Sequence, residues 1–226
     1  MLRRAHSAED GVSLPELLVT MFLTGIVGVI VVGFFIAFTN TFTADRAATD
    51  SSTTAALGMN DVTRVIRAGT EIPVENQVLN IPVFERAENE RMIIHAFIDT
   101  SSADPRPVKI EYYVNAQREL VERRYEAIAL ARGYWSFSST HQGDRVIARQ
   151  LPTRQSGDPW LFTYLTATGG EFTIPAGNTL NETQRRSVAA VRVTMTVQAD
   201  ITARAEPVTL RSTVGIPNLG ISRVGL

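Results

Sequence analysis

Two periods of apolar residues divide the chain. From Leu17 to Phe38 no residue carries a charge, and Thr20 and Thr24 are the only polar side chains. At ~1.5 Å per residue a helix of this length reaches about 33 Å, enough to cross a bilayer core of about 30 Å. The two threonine hydroxyls can bond back to the preceding turn, so they fit such a segment. Residues 39–54 are small and polar and contain no proline. Ala55, Met59, Val62 and Ile66 then recur on one helical face, and Gly69 is a natural stop. The pattern predicts one helix from about Pro15 to Ala68, its second half packed on a globular domain.

Beyond residue 70 the period becomes two. Val108, Ile110 and Tyr112 alternate with Lys109, Glu111 and Tyr113. Val191, Val193, Met195 and Val197 alternate with Arg192, Thr194 and Thr196, and Val208, Leu210 and Val214 with Thr209, Arg211 and Thr213. These read as half-buried antiparallel strands. Arg91–Asp99, Leu120–Arg124, Arg145–Gln150 and Leu161–Leu165 are weaker strand candidates. Asn115 to Arg118 reads as a hairpin loop, Thr168-Gly169-Gly170 as a turn, and Ser101 to Pro107 as an exposed loop. The class expected is α+β, a long N-terminal helix on an antiparallel β-sheet domain.

The edge of the apolar run carries the functional signal. Gly11-Val12-Ser13-Leu14-Pro15-Glu16 sets a glycine, four uncharged residues and a glutamate directly against the helix. Near a membrane boundary a carboxylate is costly without a partner, and a plain anchor gains nothing from it. A cleaved secretory signal has a shorter apolar core, of about 7–15 residues, followed by small residues at the cut; Thr43-Ala44-Asp45 is a poor cut site. If the chain is cut after Gly11, Val12 gains a free α-amine. Glu16 of one subunit can then pair with the Val12 amine of its neighbour among packed helices, fixing their register and neutralising both charges. Glu16 also meets the favourable end of the helix dipole, and Pro15 is tolerated in the first turn. Arg3 and Arg4 precede the run, which predicts a cytoplasmic N-terminus and an exported C-terminal domain, a single-pass topology.

These residues resemble the processing site of type IV prepilins and type II secretion pseudopilins. The resemblance implies a type IV pilin-like fold. It also implies a leader at residues 1–11, cut after Gly11 by a prepilin peptidase that N-methylates Val12, with Glu16 as the assembly glutamate. Residues 12–42 would form the transmembrane and assembly half of the helix, and 43–226 the exported domain, helical to about residue 68 and β-rich after it. Val12 replaces the commoner phenylalanine or methionine, and Pro15 stands where many members carry leucine or isoleucine. In the β-rich part, Ile110–Val114, Glu119–Arg123, Trp160–Tyr164 with Gly169-Gly170, Val191–Met195 and Leu210–Val214 are similar in order and spacing to PilW/PulJ-type minor pilins and pseudopilins. Asp61, Arg64 and Arg67 fit the same pattern. Ile216-Pro217-Asn218 departs from the arginine–asparagine usual near the end of such chains. Membership implies other pilins or pseudopilins, an inner-membrane assembly platform and membrane lipid as partners, and a final place in a pilus or pseudopilus.

Composition narrows the alternatives. The chain has 226 residues and a formal net charge of −1, which gives no general attraction to nucleic acid. Lys109 is the only lysine, an arginine bias that fits a GC-rich bacterial genome. Cysteine is absent, which excludes disulfides, thiolate metal sites and a cysteine nucleophile within these residues. His6, His95 and His141 show no metal-ligand spacing. His95 falls in an apolar strand and His141 in a Ser/Thr/Gly-rich loop. Asp99, Asp104 and Asp158 read as solvated loop residues rather than a calcium cluster. No phosphate loop, G-x-S-x-G elbow or H-E-x-x-H occurs, so neither catalytic residues nor a cofactor or metal are expected. Asn181-Glu182-Thr183 matches a glycosylation acceptor, which in a bacterial chain carries little meaning. Gly25, Gly28 and Gly33 suit close helix packing in a membrane, or a point where the helix loosens. Two function classes follow: a minor pilin or pseudopilin that starts or caps a filament, and a membrane-anchored binding module for DNA, a surface or a secreted substrate. A DNA contact through Arg185 and Arg186 stays open beside an exposed loop pair.

Overall fold

The computed structural model describes residues 13–75, 79–98, 105–198 and 206–217. Helix α1 runs from Leu14 to Arg67, close to the span its apolar pattern predicts. The chain divides into two compact units, Met1–Arg46 and Ala47–Leu226, and α1 contributes to both. Between Leu17 and Phe38 the helix is apolar on all sides apart from Thr20 and Thr24, and none of its most hydrophobic stretch is buried. The sequence thus supplies a helix long and apolar enough to cross a membrane.

In the second unit α1 is amphipathic. Ala55, Met59, Val62, Val65 and Ile66 are buried, the stripe expected at helical spacing. The β-structure forms two antiparallel sheets. The first has the order β1-β2-β3-β4-β5, from β1 (Phe84–Ala87), β2 (Arg91–Ala96), β3 (Val108–Val114), β4 (Leu120–Ala129) and β5 (Trp135–Ala148). The second has the order β6-β7-β8, from β6 (Phe162–Leu165), β7 (Ala190–Val197) and β8 (Val208–Gly215). A short helix α2 (Glu182–Ser187) lies between β6 and β7 in sequence. One core joins the helical stripe to Phe84, Ile94, Ile110, Tyr112 and Leu120 of the first sheet and to Phe162, Tyr164, Val191, Val193 and Met195 of the second. Full burial of such side chains contributes about 1.5–3 kcal/mol each. Phe84 and Tyr164 meet edge to face across the sheets at 5.6 Å, a geometry aromatic rings prefer.

Two glycines let backbones approach. A Cβ on Gly58 would stand 2.8 Å from the Met195 sulfur, and one on Gly69 would stand 2.9 Å from Val83 Cγ1 and from the Ile66 carbonyl. At Gly69 the chain leaves α1 and is sewn to β2: Thr70 N–H donates to His95 O at 2.9 Å, and Phe97 N–H to Ala68 O at 3.1 Å. The expected hairpin between β3 and β4 is present. Asn115 Oδ1 accepts from Glu119 N–H at 2.8 Å, and Arg118 takes a positive φ of 56°.

Three parts differ from the sequence reading. The Ser/Thr/Gly-rich segment holding His141 is not a loop but the middle of β5, paired to β4 through Tyr125↔His141. Its residues 139–144 are all exposed, so no apolar alternation marks them; the pairing comes from the neighbouring strand. Arg185 and Arg186 lie on α2 rather than in a loop. Asn181 caps that helix, accepting from Gln184 N–H at 2.9 Å while the Gln184 side chain accepts from Asn181 N–H. The glycosylation-like triplet is thus a helix start. Strand β1 has no alternating signal because it is short and bulged, with a register shift between Phe84 and Arg86.

Candidate functional site

The N-terminal edge of α1 is built by its first turn. Leu17 N–H donates to Ser13 O at 3.0 Å, so the helix begins where Pro15 lacks a needed donor least. Glu16 sits in this turn and is exposed. The spacing Ser13-x-x-Glu16 matches a capping box, yet among the described residues the Glu16 carboxylate takes neither a hydrogen bond nor an ion-pair partner. Its neighbours in the turn, Leu14, Leu17 and Leu18, are 77%, 53% and 63% exposed. Gly11 and Val12 lie outside the described residues, as do Asp99 and Asp104.

The polar groups along the apolar helix close on themselves. Thr20 Oγ1 donates to Leu17 O at 2.8 Å and Thr24 Oγ1 to Thr20 O at 2.7 Å. Thr39 and Thr41 donate likewise to Phe35 O and Ala37 O, at 2.8 and 3.1 Å. A helix whose hydroxyls and backbone are satisfied internally suits a medium without water. Nothing lies within 4 Å of a Cβ placed on Gly25, Gly28 or Gly33, so the close packing these glycines permit is not made with any described residue.

In the globular unit two networks of titratable groups lie on opposite faces of the first sheet. On the helix side, Tyr112 Oη donates to Glu122 Oε2 at 2.8 Å and Arg124 Nε to Glu122 Oε1 at 2.6 Å. Arg145 bridges Glu122 and Asp61 of α1, each at 3.1 Å. Burial works to raise the Glu122 carboxyl, but bonds from Arg145, Arg124 and Tyr112 outweigh it and hold the group below its ordinary value. On the far face, Glu111 is buried beneath Arg91 and Tyr125, which donate to it at 2.7 and 2.8 Å. Burial and the Glu111 bond push the Tyr125 hydroxyl up to about 12. Asp144 accepts two bonds from Arg123, at 2.8 and 2.9 Å. Those bonds, with another from Tyr113, bring its carboxyl down to about 2.

His95 is buried, with Nδ1 3.0 Å from Pro82 O and its ring 4.9 Å from Phe137. His141 lies 3.1 Å from Asp144. Asp158 accepts from Gln155 N–H at 2.7 Å within a turn. Among the described residues no group of three or more His, Asp or Glu side chains is placed to hold a metal ion. Arg186 pairs with Glu182 at 2.8 Å, and Arg185 donates to Leu180 O at 2.8 Å; neither cation of α2 stands free. Sequence reasoning names Asp61 only for its fit to the family pattern and does not join it to Arg145 and Glu122. The three residues come from three distant segments, and only the fold brings them together. No protein-family model matches the chain, and no curated protein matches it.

Proposed function

We propose that the chain is a minor pilin or pseudopilin, a structural subunit that helps start or cap a type IV pilus or type II secretion-like filament after leader removal. The observation that carries this reading is Glu16. It is an exposed carboxylate, without a partner among the described residues, in the first turn of a helix whose next residues form an uncharged surface through Phe38. A lone anchor in lipid gains nothing from that charge. A set of packed helices does, when each carboxylate meets the α-amine created on a neighbour by cleavage between Gly11 and Val12. In this reading prepilin peptidase makes the cut and methylates Val12, an inner-membrane platform assembles the product, and the β-domain is displayed outside.

Mass spectrometry of the mature protein from its native host tests the reading. The expected product begins at a methylated Val12, and Gly11→Leu should leave the leader attached because the leucine side chain fills a site that takes a glycine. An intact leader on the native chain, or a cut beyond Phe38, sinks the proposal.

A further inference from the structure

The two sheets present four edges; two are closed by backbone bonds and a third is irregular. On β1, Ala87 N–H donates to Thr179 Oγ1 and Ala87 O accepts from Leu180 N–H, both at 3.0 Å. On β6, Phe162 N–H donates to Asn89 O and Phe172 N–H to Tyr164 O, both at 3.0 Å, and Leu165 bridges to Glu171. Strand β5 is long, but its register against β4 shifts at three places. The Ser138 hydroxyl also accepts from Thr140 N–H and donates to Thr140 O, both at 2.9 Å, so it occupies the backbone groups of its own strand. Bulges and self-bonding are devices that make an edge a poor template.

Strand β8 has none of these devices. It pairs with β7 in unbroken register from Ala190↔Gly215 to Val197↔Val208. Among the described residues no hydrogen bond reaches its outer edge. Thr209, Arg211, Thr213 and Gly215 are exposed. The other face carries Leu210, partly buried against the core, and buried Val214. Arg211 has no acidic partner among the described residues, whereas Arg192 on β7 is paired with Glu171.

We infer that β8 is a docking edge for an extended segment of a different protein chain, apolar at alternate positions and bearing a carboxylate beside Arg211. The segment would add a fourth strand to the second sheet. Its backbone supplies the missing hydrogen bonds, its apolar residues extend the Leu210–Val214 face, and its carboxylate meets the unpaired guanidinium. A second copy of this chain fits worse. In the two centred antiparallel registers that align the apolar faces, Arg211 stands directly or diagonally opposite Arg211, and like charges across a strand pair repel.

The test uses the full chain in detergent micelles and a short peptide of alternating valine and threonine with one central glutamate. Amide hydrogen exchange is read by mass spectrometry. The glutamate peptide should slow exchange within residues 208–215 saturably. A lysine version should bind about fivefold more weakly, given the modest energies of cross-strand charge pairs. A version with proline in its middle should give no protection, since proline cannot complete the ladder. Arg211→Glu, an exposed change whose fold is checked by circular dichroism, should reverse the order of the two charged peptides. Full protection of β8 without peptide would show the edge already filled by this chain and overturn the inference. So would protection that rises with protein concentration alone, protection elsewhere, or equal binding of both charged peptides. Glu16→Ala should leave peptide binding unchanged, so failure here and failure of the leader reading are separate results.

Discussion

Glu16 stands in the first turn of α1 with an exposed carboxylate, directly before an apolar run that ends at Phe38. On the proposed reading, membrane insertion and leader removal do not need its charge. Assembly does, if the charge meets a neighbour's amine. Glu16→Ala should therefore leave processed, membrane-inserted protein at its normal level and deplete it from complexes with partner pilins, as read by crosslinking. Removing one side of a buried pair costs about 3–5 kcal/mol, and Glu16→Asp should fall between, keeping charge but losing reach. Gly58 makes a different residue-scale prediction. The Met195 sulfur lies 2.8 Å from where its Cβ would be, and the Ala148 Cβ lies 3.4 Å away. Gly58→Leu should lower stability by about 1–3 kcal/mol, as overpacking of a filled core does, measured as a reduced Tm. Gly58→Ala should cost less, because the methionine tip can shift and a helical alanine regains about 1 kcal/mol over glycine. Glu16 was legible in the sequence because its context is local. Glu111 was not. Period two places it on the outward face of β3, yet it is buried because arginine and tyrosine side chains from β2 and β4 close over it.

At the scale of elements, the Asp61–Arg145–Glu122 chain ties α1 to β5 and β4. Glu122 supplies a pH dependence with a definite sign. Its folded-state carboxyl is held below the ordinary value of 4.5. Its contribution to stability is thus fully present above that value and is lost as pH falls through the lowered one. Glu122→Gln removes this titration. The stability difference between wild type and variant should be constant above about pH 4.5 and shrink on further acidification, measured by denaturant melts across pH. A difference that grew on acidification would reverse the assignment. Elements were legible where one face is buried and the other wet: β3, β7 and β8 stood out by alternation, and α1 by its apolar stripe. Strand β5 was read only over its C-terminal part, where Val146 and Ala148 pair with β4. Its Ser/Thr-rich middle owes its extended form to that partner rather than to its own side chains. Helix α2 was missed because six residues are too few to display a period.

At the scale of the whole chain, the apolar first unit and the β-rich second unit solve different solvent problems. The first leaves Leu14, Leu17, Phe22, Phe34 and Phe38 more than half exposed and closes its hydroxyls on its own backbone, which suits lipid. The second buries its helical stripe against its own two sheets. Among the described residues the apolar core of that second unit draws on nothing before Ala55, and the buried Ser51 also lies within that unit. Residues 47–226 expressed without the preceding segment should therefore be soluble and fold alone. Circular dichroism should show mixed helix and strand, with one cooperative thermal transition. The retained part of α1 is held by tertiary packing, since Val62, Val65 and Ile66 are fully buried, and short isolated helices are marginal in water. Truncating further, to begin after Arg67, should abolish the transition, because it strips the helical stripe from both sheets and exposes the apolar face they share. A chain of residues 47–226 that stays disordered would mean that the apolar segment is part of the folding unit, and that the membrane, not the β-domain, organises α1.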